Sequence, residues 1–162
     1  MMFTRIQALL GTTLLVGLAS TTSAGNYCTA SPNSTGNGAI ISSTGSVSVS
    51  AGSFTLRVNG APPSSFGVFF YGGGQVNTPF GNGVRCAGAG GRGVHRLNGV
   101  APVNSRGSAS FGLDFNHHPA NQGKGEITGG STWYFQYYYR DQHGSGSGYI
   151  NLSDGLAVTF SQ

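Results

Sequence analysis

The stretch "STWYFQYYYR", residues 131–140, places a Trp, a Phe and four Tyr within seven consecutive positions. In a β-strand, successive side chains point to opposite faces of the sheet. One face would therefore carry Trp133, Phe135, Tyr137 and Tyr139, and the other Tyr134, Gln136, Tyr138 and Arg140. The odd-numbered face has the larger apolar set and is predicted to face the core. The even-numbered face is expected to be partly exposed, and two interpretations of it stay open: a strand face covered by a neighbouring loop, or a ligand platform.

The same two-residue period recurs along the chain, in "SVSVS" (46–50), "SFTLRVNG" (53–60), "RGSASFGLDF" (106–115) and "GLAVTFS" (155–161). A continuous apolar run, "SFGVFFYGGG" (65–74), is typical of a central strand buried on both faces. Gly-, Pro- and Asn-rich segments such as "GGGQVNTPFGNG" (72–83) separate these runs and are interpreted as turns. The pattern predicts an all-β fold, a single antiparallel β-sandwich of jelly-roll or immunoglobulin-like type with about seven to nine strands.

The first 24 residues have the features of a secretory signal peptide. Arg5 precedes an apolar segment at residues 6–20, and small residues lead to a cleavage site after Ala24. We therefore expect a signal peptide at 1–24 and a β-sandwich domain at 25–162, exported to the periplasm, the cell surface or the medium. No second apolar stretch is long enough to span a membrane.

Two cysteines, Cys28 and Cys86, remain after this cleavage. In an exported protein they favour one disulfide, with two buried free thiols as the alternative.

Charged residues are sparse, at 7% of the chain, and unevenly distributed. No acidic residue precedes Asp114, whereas five of the seven Lys and Arg residues after the predicted cleavage site do. One interpretation is a basic surface patch that favours anionic partners such as acidic glycans. The alternative is that folding mixes distant segments and dilutes the bias.

The segment 85–99 contains "GAGGRG" (88–93), which formally matches a dinucleotide-binding fingerprint. Because glycine is so common here and no strand-then-helix context accompanies it, we reject that assignment. Arg85, Arg92 and Arg96 in this segment could form an anion-binding nest with backbone N–H groups. A flexible Gly-rich connection made soluble by arginines is the competing interpretation.

No coherent catalytic or metal site is recognisable in the sequence. His117 and His118 are adjacent and would point to opposite faces of a strand, Glu126 is the only Glu, and no nucleophile elbow occurs. We expect no cofactor and no enzymatic activity. A single Lys, the lack of a basic run and the export signal also argue against a nucleic-acid partner.

Four segments of the chain together resemble a secreted β-rich module common in planctomycetes and other marine bacteria. They are "NYCTASPNSTGNGAIISSTGS" (26–46), "SSFGVFFYG" (64–72), "STWYFQYYYRD" (131–141) and "NLSDGLAVTF" (151–160). The resemblance implies a Cys28–Cys86 bridge and a hairpin locked by Arg140, Asp141 and Asp154. It implies no catalytic residues, because no activity is established for that family.

The expected function is thus a secreted, non-catalytic binding module for polysaccharide, the cell envelope or other anionic surfaces. The candidate contacts are Tyr134, Tyr138, Arg92 and Arg96. Two alternatives stay open: a structural envelope or matrix component without a small ligand, and a hydrolase with an unrecognised site. The sequence leaves ligand identity, strand order and oligomeric state open.

Overall fold

A computed structural model describes residues 24–142 and 149–162. The predicted signal peptide, except for Ala24, lies outside the described residues. So does the segment "HGSGSG" at residues 143–148, whose composition predicts a turn. Among those described there is one short 3-10 turn, Gly123–Gly125, and twelve strands. The strands are β1 (Ala24–Tyr27), β2 (Ile40–Thr44), β3 (Thr55–Asn59), β4 (Phe66–Gly72), β5 (Gly74–Phe80), β6 (Gly83–Gly88), β7 (Val94–Arg96), β8 (Ala101–Pro102), β9 (Ala109–Gly112), β10 (Thr132–Arg140), β11 (Ile150–Leu152) and β12 (Gly155–Thr159).

The strands form a seven-stranded sheet, a three-stranded sheet and a two-stranded hairpin. The large sheet has the order β1-β12-β10-β4-β7, with β11 also paired to β10 and β8 also paired to β4. The small sheet has the order β2-β3-β9, and β5 pairs with β6. Every named strand pair is antiparallel. The predicted antiparallel all-β architecture is confirmed, and the arrangement fits a β-sandwich.

The main core lies between the large and the small sheet. The odd-numbered residues of β10 are all buried there, together with Leu56 and Val58 of β3. Phe54, next to β3, meets Phe135 of β10 with ring centroids 6.0 Å apart, so aromatic contacts join the two layers. Burying one such side chain stabilises the fold by about 1.5–3 kcal/mol. The predicted core face of β10 is therefore confirmed.

The outer face of the large sheet is covered in part by the β5–β6 hairpin. A second apolar cluster forms there from Phe70, Ala87 and Leu152, with Tyr134 and Tyr138 packed against it. The prediction of a partly exposed even-numbered face is wrong at Gln136, which has no exposed surface. Its side chain is enclosed because the backbone of β6 hydrogen-bonds directly to it.

Two predictions about individual segments were wrong. "GGGQVNTPFGNG" is not a turn, since β5 runs through it and β6 begins at its end. This polar segment is extended because β6 supplies its backbone partners, while β5 has no other strand beside it among the described residues. "SVSVS" forms no strand, only an isolated bridge between Ser48 and Ser161. The described strands number twelve instead of the predicted seven to nine. The excess comes from short strands such as β7 and β8 and from the polar strand β5.

The predicted disulfide is present and joins Cys28 to Cys86, which are 58 residues apart in the sequence. Closing a loop of that length stabilises the folded state by about 4 kcal/mol in the chain-entropy model. The bond ties the segment after β1 to the middle of β6. In the part of the chain that the structure describes, no helix is long and apolar enough to cross a membrane.

Candidate functional site

A groove lies on the outer face of the large sheet, beside the β5–β6 hairpin. It consists of two adjoining depressions of about 390 and 210 Å³, which share Val68, Arg96 and Tyr138. We call it the arginine groove. Its remaining lining residues are Phe66, Gly67, Phe70, Phe80, Arg85, Val94, Val100, Arg140 and Leu152.

Strand register brings these residues together from distant parts of the sequence. Tyr138 of β10 lies opposite Val68 of β4 on one side and Leu152 of β11 on the other. Arg96 of β7 lies opposite Phe70 of β4. Directly paired residues project from the same face of a sheet, and alternate residues share it. Arg96 and Tyr138 are thus presented on one surface although β7 and β10 are not neighbours.

The charged residues of the groove are all positive: Arg85, Arg96 and Arg140. No Asp or Glu lines either depression. Within residues 24–142 and 149–162, none of the three arginines forms an ion pair with a described carboxylate. The groove therefore presents uncompensated guanidinium groups, which favour an anionic ligand.

Apolar side chains are unusually exposed around the groove. Phe66, Phe80, Val94 and Val100 retain 52%, 43%, 45% and 57% of their accessible surface. They are four of the six large hydrophobic residues that are exposed in the described chain. Phe80 also meets Tyr138 edge-to-face, with ring centroids 6.2 Å apart. Exposed apolar groups gathered in one place indicate an interaction site more strongly than scattered ones do.

Arg85 differs from the other two arginines because it is partly buried. Its Nε atom is enclosed and has no hydrogen-bond partner among the described residues. A buried donor without a partner costs about 1–3 kcal/mol, and more when the group is charged.

Gln136 holds the hairpin that carries Arg85 and Phe80. Its Oε1 atom accepts hydrogen bonds from the N–H groups of Cys86, at 2.8 Å, and Ala87, at 3.2 Å. Its Nε2 atom donates to the carbonyls of Val84, at 2.8 Å, and Ser153, at 2.7 Å. Sequence analysis did not identify this role. The sequence signal for this role was a single amide residue within a row of aromatic residues. Because a buried polar group must find hydrogen-bond partners, such a residue is a candidate for binding another segment of the chain.

Of the four predicted contacts, the structure brings Tyr138 and Arg96 together, but Tyr134 does not line the arginine groove. Tyr134 is partly buried and packs edge-to-face against Tyr27, with ring centroids 5.5 Å apart. The Tyr27 hydroxyl in turn donates to the Cys86 carbonyl at 3.0 Å. The segment that carries the disulfide therefore covers this tyrosine.

The fourth predicted contact, Arg92, also lies outside the groove lining. Its guanidinium carbon is 4.1 Å from the ring centroid of Trp133, a cation–π contact. Its terminal nitrogen donates to the Thr132 carbonyl at 2.8 Å. Both interactions are with β10 itself, so this arginine stabilises the strand.

Of the three residues predicted to lock the last hairpin, Asp154 instead anchors the N-terminal segment. Asp154 accepts hydrogen bonds from the Ile41 N–H and the Asn26 amide, both at 2.7 Å. Burial is the main cause that raises the pKa of the Asp154 carboxyl above its usual value.

Asp141 joins the two strands of the hairpin and also reaches the N-terminal segment. It accepts from the Asn151 amide at 3.2 Å, which links β10 to β11, and from the Ser34 N–H at 3.1 Å. Arg140 is exposed and lies in the groove.

The remaining titratable groups form no comparable site. The His117 Nδ1 and Asp114 Oδ2 atoms form an exposed hydrogen bond of 2.6 Å in a turn. The Asn116 N–H is the largest of the causes that lower the pKa of Asp114. No cluster of three or more His, Cys, Asp or Glu residues occurs in the described ranges. A separate depression of about 700 Å³ has Asp114 as its one charged lining residue.

The arginine groove is thus the place where charge, exposed rings and an unsatisfied buried donor coincide. It offers guanidinium donors and apolar faces to a ligand. No protein-family model, curated protein or solved structure matches the chain.

Proposed function

We propose that this chain is an exported, non-catalytic β-sandwich protein that binds polysaccharide or other anionic surfaces through the arginine groove. The observation that carries the proposal is that Arg96 and Tyr138 line the same two depressions, together with two further arginines and no acidic residue. The disulfide and the signal-like N-terminal sequence support export to an oxidising compartment.

The two residue types act in different ways. A guanidinium group forms paired hydrogen bonds to carboxylate, sulfate or phosphate oxygens. An aromatic ring provides a flat apolar face with little conformational entropy to lose on binding, and its hydroxyl remains free to bond a polar group. Tyr138 is held by its contact with Phe80 and by the sheet, so this ring is already oriented.

Glycan-array binding and affinity electrophoresis of the secreted protein test the proposal. Arg96→Ala and Tyr138→Ala should each weaken binding by about tenfold or more, since a hydrogen bond to a charged group contributes about 1.5–3 kcal/mol. The melting temperature of Arg96→Ala should match that of the wild type, because Arg96 is exposed. Tyr138→Ala also removes packing against Phe80 and the second apolar cluster, so its binding is measured at temperatures where it remains folded. Arg57→Ala is the control, because Arg57 is exposed on β3 of the other sheet.

Wild-type protein that binds no glycan and no anionic surface would contradict the proposal. Self-assembly of that non-binding protein at high concentration would instead support a structural role in the envelope.

A further inference from the structure

The side-chain hydrogen-bonding groups of the arginine groove are almost all donors. The polar side chains that line it are three arginines and Tyr138. A guanidinium group has only donors, so the tyrosine hydroxyl is the one side-chain acceptor in the lining. No Asp, Glu, Asn or Gln side chain contributes to either depression.

We propose that the groove selects acidic glycans, polysaccharides that bear sulfate esters or carboxylates, and rejects neutral ones. This inference rests on the proposed function and names the ligand class of the same site. A neutral sugar presents hydroxyl groups that donate as well as accept, and a hydroxyl enclosed without an acceptor keeps an unpaired proton. Sulfate and carboxylate oxygens only accept, and they match a lining of donors.

The positions of the arginines indicate a ligand with more than one acidic group. Arg96 lines both depressions, whereas Arg85 lines only the larger and Arg140 only the smaller. A single anion can occupy one of these positions, but a polymer with repeated acidic groups can meet several at once. Each added contact then forms at a high effective concentration.

The apolar residues fit the sugar faces that lie between acidic groups. Phe66 and Val100 line the smaller depression, and Phe80 and Val94 line the larger. The buried Phe70 also lines the larger depression. A lining in which guanidinium groups alternate with apolar side chains therefore suits a chain that lies along it.

Matched polymer pairs with the same backbone test this selectivity on the full secreted protein. The pairs are dextran sulfate with dextran, and polygalacturonate with its methyl ester. We expect at least tenfold tighter binding to the acidic member of each pair, and a marked loss of affinity between about 50 and 300 mM salt.

Variants establish whether the groove is responsible. Arg85→Gln, Arg96→Gln and Arg140→Gln should each weaken acidic-polymer binding by about fivefold or more, and Arg57→Gln and Arg106→Gln, both outside the groove, should leave it unchanged. Arg85→Lys retains the charge without the planar fork, and should also bind more weakly than the wild type. Equal losses in the groove variants and the controls would show non-specific charge attraction and would overturn the inference.

Other outcomes separate this inference from the proposed function. Equal binding to neutral and acidic polymers, lost in Tyr138→Ala, would overturn the acidic selectivity and leave the binding function intact. Binding of no polymer and no anionic vesicle would contradict both. Arg96-dependent binding to vesicles of anionic phospholipid, with no polymer binding, would identify a membrane as the partner and would also overturn the inference.

Discussion

Replacing Gln136 with Met should destabilise the protein strongly although the two side chains have similar length and shape. Gln136 has no exposed surface, and its amide makes four hydrogen bonds to backbone groups. Three of those bonds go to β6 and one goes to Ser153. Methionine would fill the space and leave two N–H groups and two carbonyls without that partner.

The magnitude follows from the number of bonds lost. Each buried hydrogen bond contributes about 1 kcal/mol net, so four of them amount to about 4 kcal/mol. Methionine recovers part of this through its apolar surface, which leaves an expected loss of about 3 kcal/mol in the free energy of unfolding. For a domain of this size that corresponds to about 10 °C in melting temperature.

Urea unfolding of the secreted, oxidised protein, followed by tryptophan fluorescence, measures the effect. Gln75→Met is the matched control, since Gln75 is exposed on β5, and it should change the free energy of unfolding by less than about 0.5 kcal/mol. A loss below about 1 kcal/mol in Gln136→Met would refute the argument that this amide holds the hairpin on the sheet. Because the hairpin carries Arg85, the variant should also bind acidic polymer more weakly at temperatures where it remains folded.

Three further predictions concern the charged residues and the disulfide. Arg92→Ala should lower the free energy of unfolding by about 1 kcal/mol and leave glycan affinity unchanged, the reverse of Arg96→Ala; melting curves and affinity electrophoresis on the same samples check this contrast. Because the folded-state pKa of Asp154 is raised, the stability it contributes is present below its unfolded-state pKa and is lost as pH rises through the folded value. The free energy of unfolding of Asp154→Asn relative to the wild type should therefore increase between about pH 3 and pH 7, and a difference that stays level or falls would contradict this assignment. The double variant Cys28→Ser/Cys86→Ser should lose up to about 4 kcal/mol in urea unfolding, whereas equal stability of the reduced and oxidised wild type would show that loop closure contributes nothing.

The sequence predicted the parts of the fold that depend on local alternation. The odd-numbered residues of β10 are buried as expected, because four large rings on one face can be covered only by a second layer. The β5–β6 hairpin was missed because one of its strands is a polar segment without an apolar period. Its position on the large sheet depends in addition on hydrogen bonds from β6 to Gln136. Such a contact joins positions 50 residues apart and leaves no local pattern.

The sequence allowed the residue types of the candidate site, tyrosine and arginine, to be predicted. It did not allow their arrangement in space to be predicted. Tyr138 and Arg96 line the same groove because their strands pair with opposite edges of β4 and both side chains project from one face of the sheet. That strand order cannot be derived from periodicity. Tyr134 was a reasonable partner by alternation, but Tyr27 covers it from β1, a strand that pairs with β12 and that the Cys28–Cys86 disulfide also ties to β6. Arg92 and Arg96 look equivalent in the sequence. In the structure, however, the Arg92 guanidinium lies over the Trp133 ring and does not line the groove.

Cys86 directly follows Arg85 in β6, so the bond to Cys28 fixes one wall of the groove as well as the start of the domain. A chain whose two thiols are still reduced would lack that covalent brace beside Arg85. Under the proposed function, the affinity for acidic polymers would therefore depend on the oxidation state of the protein.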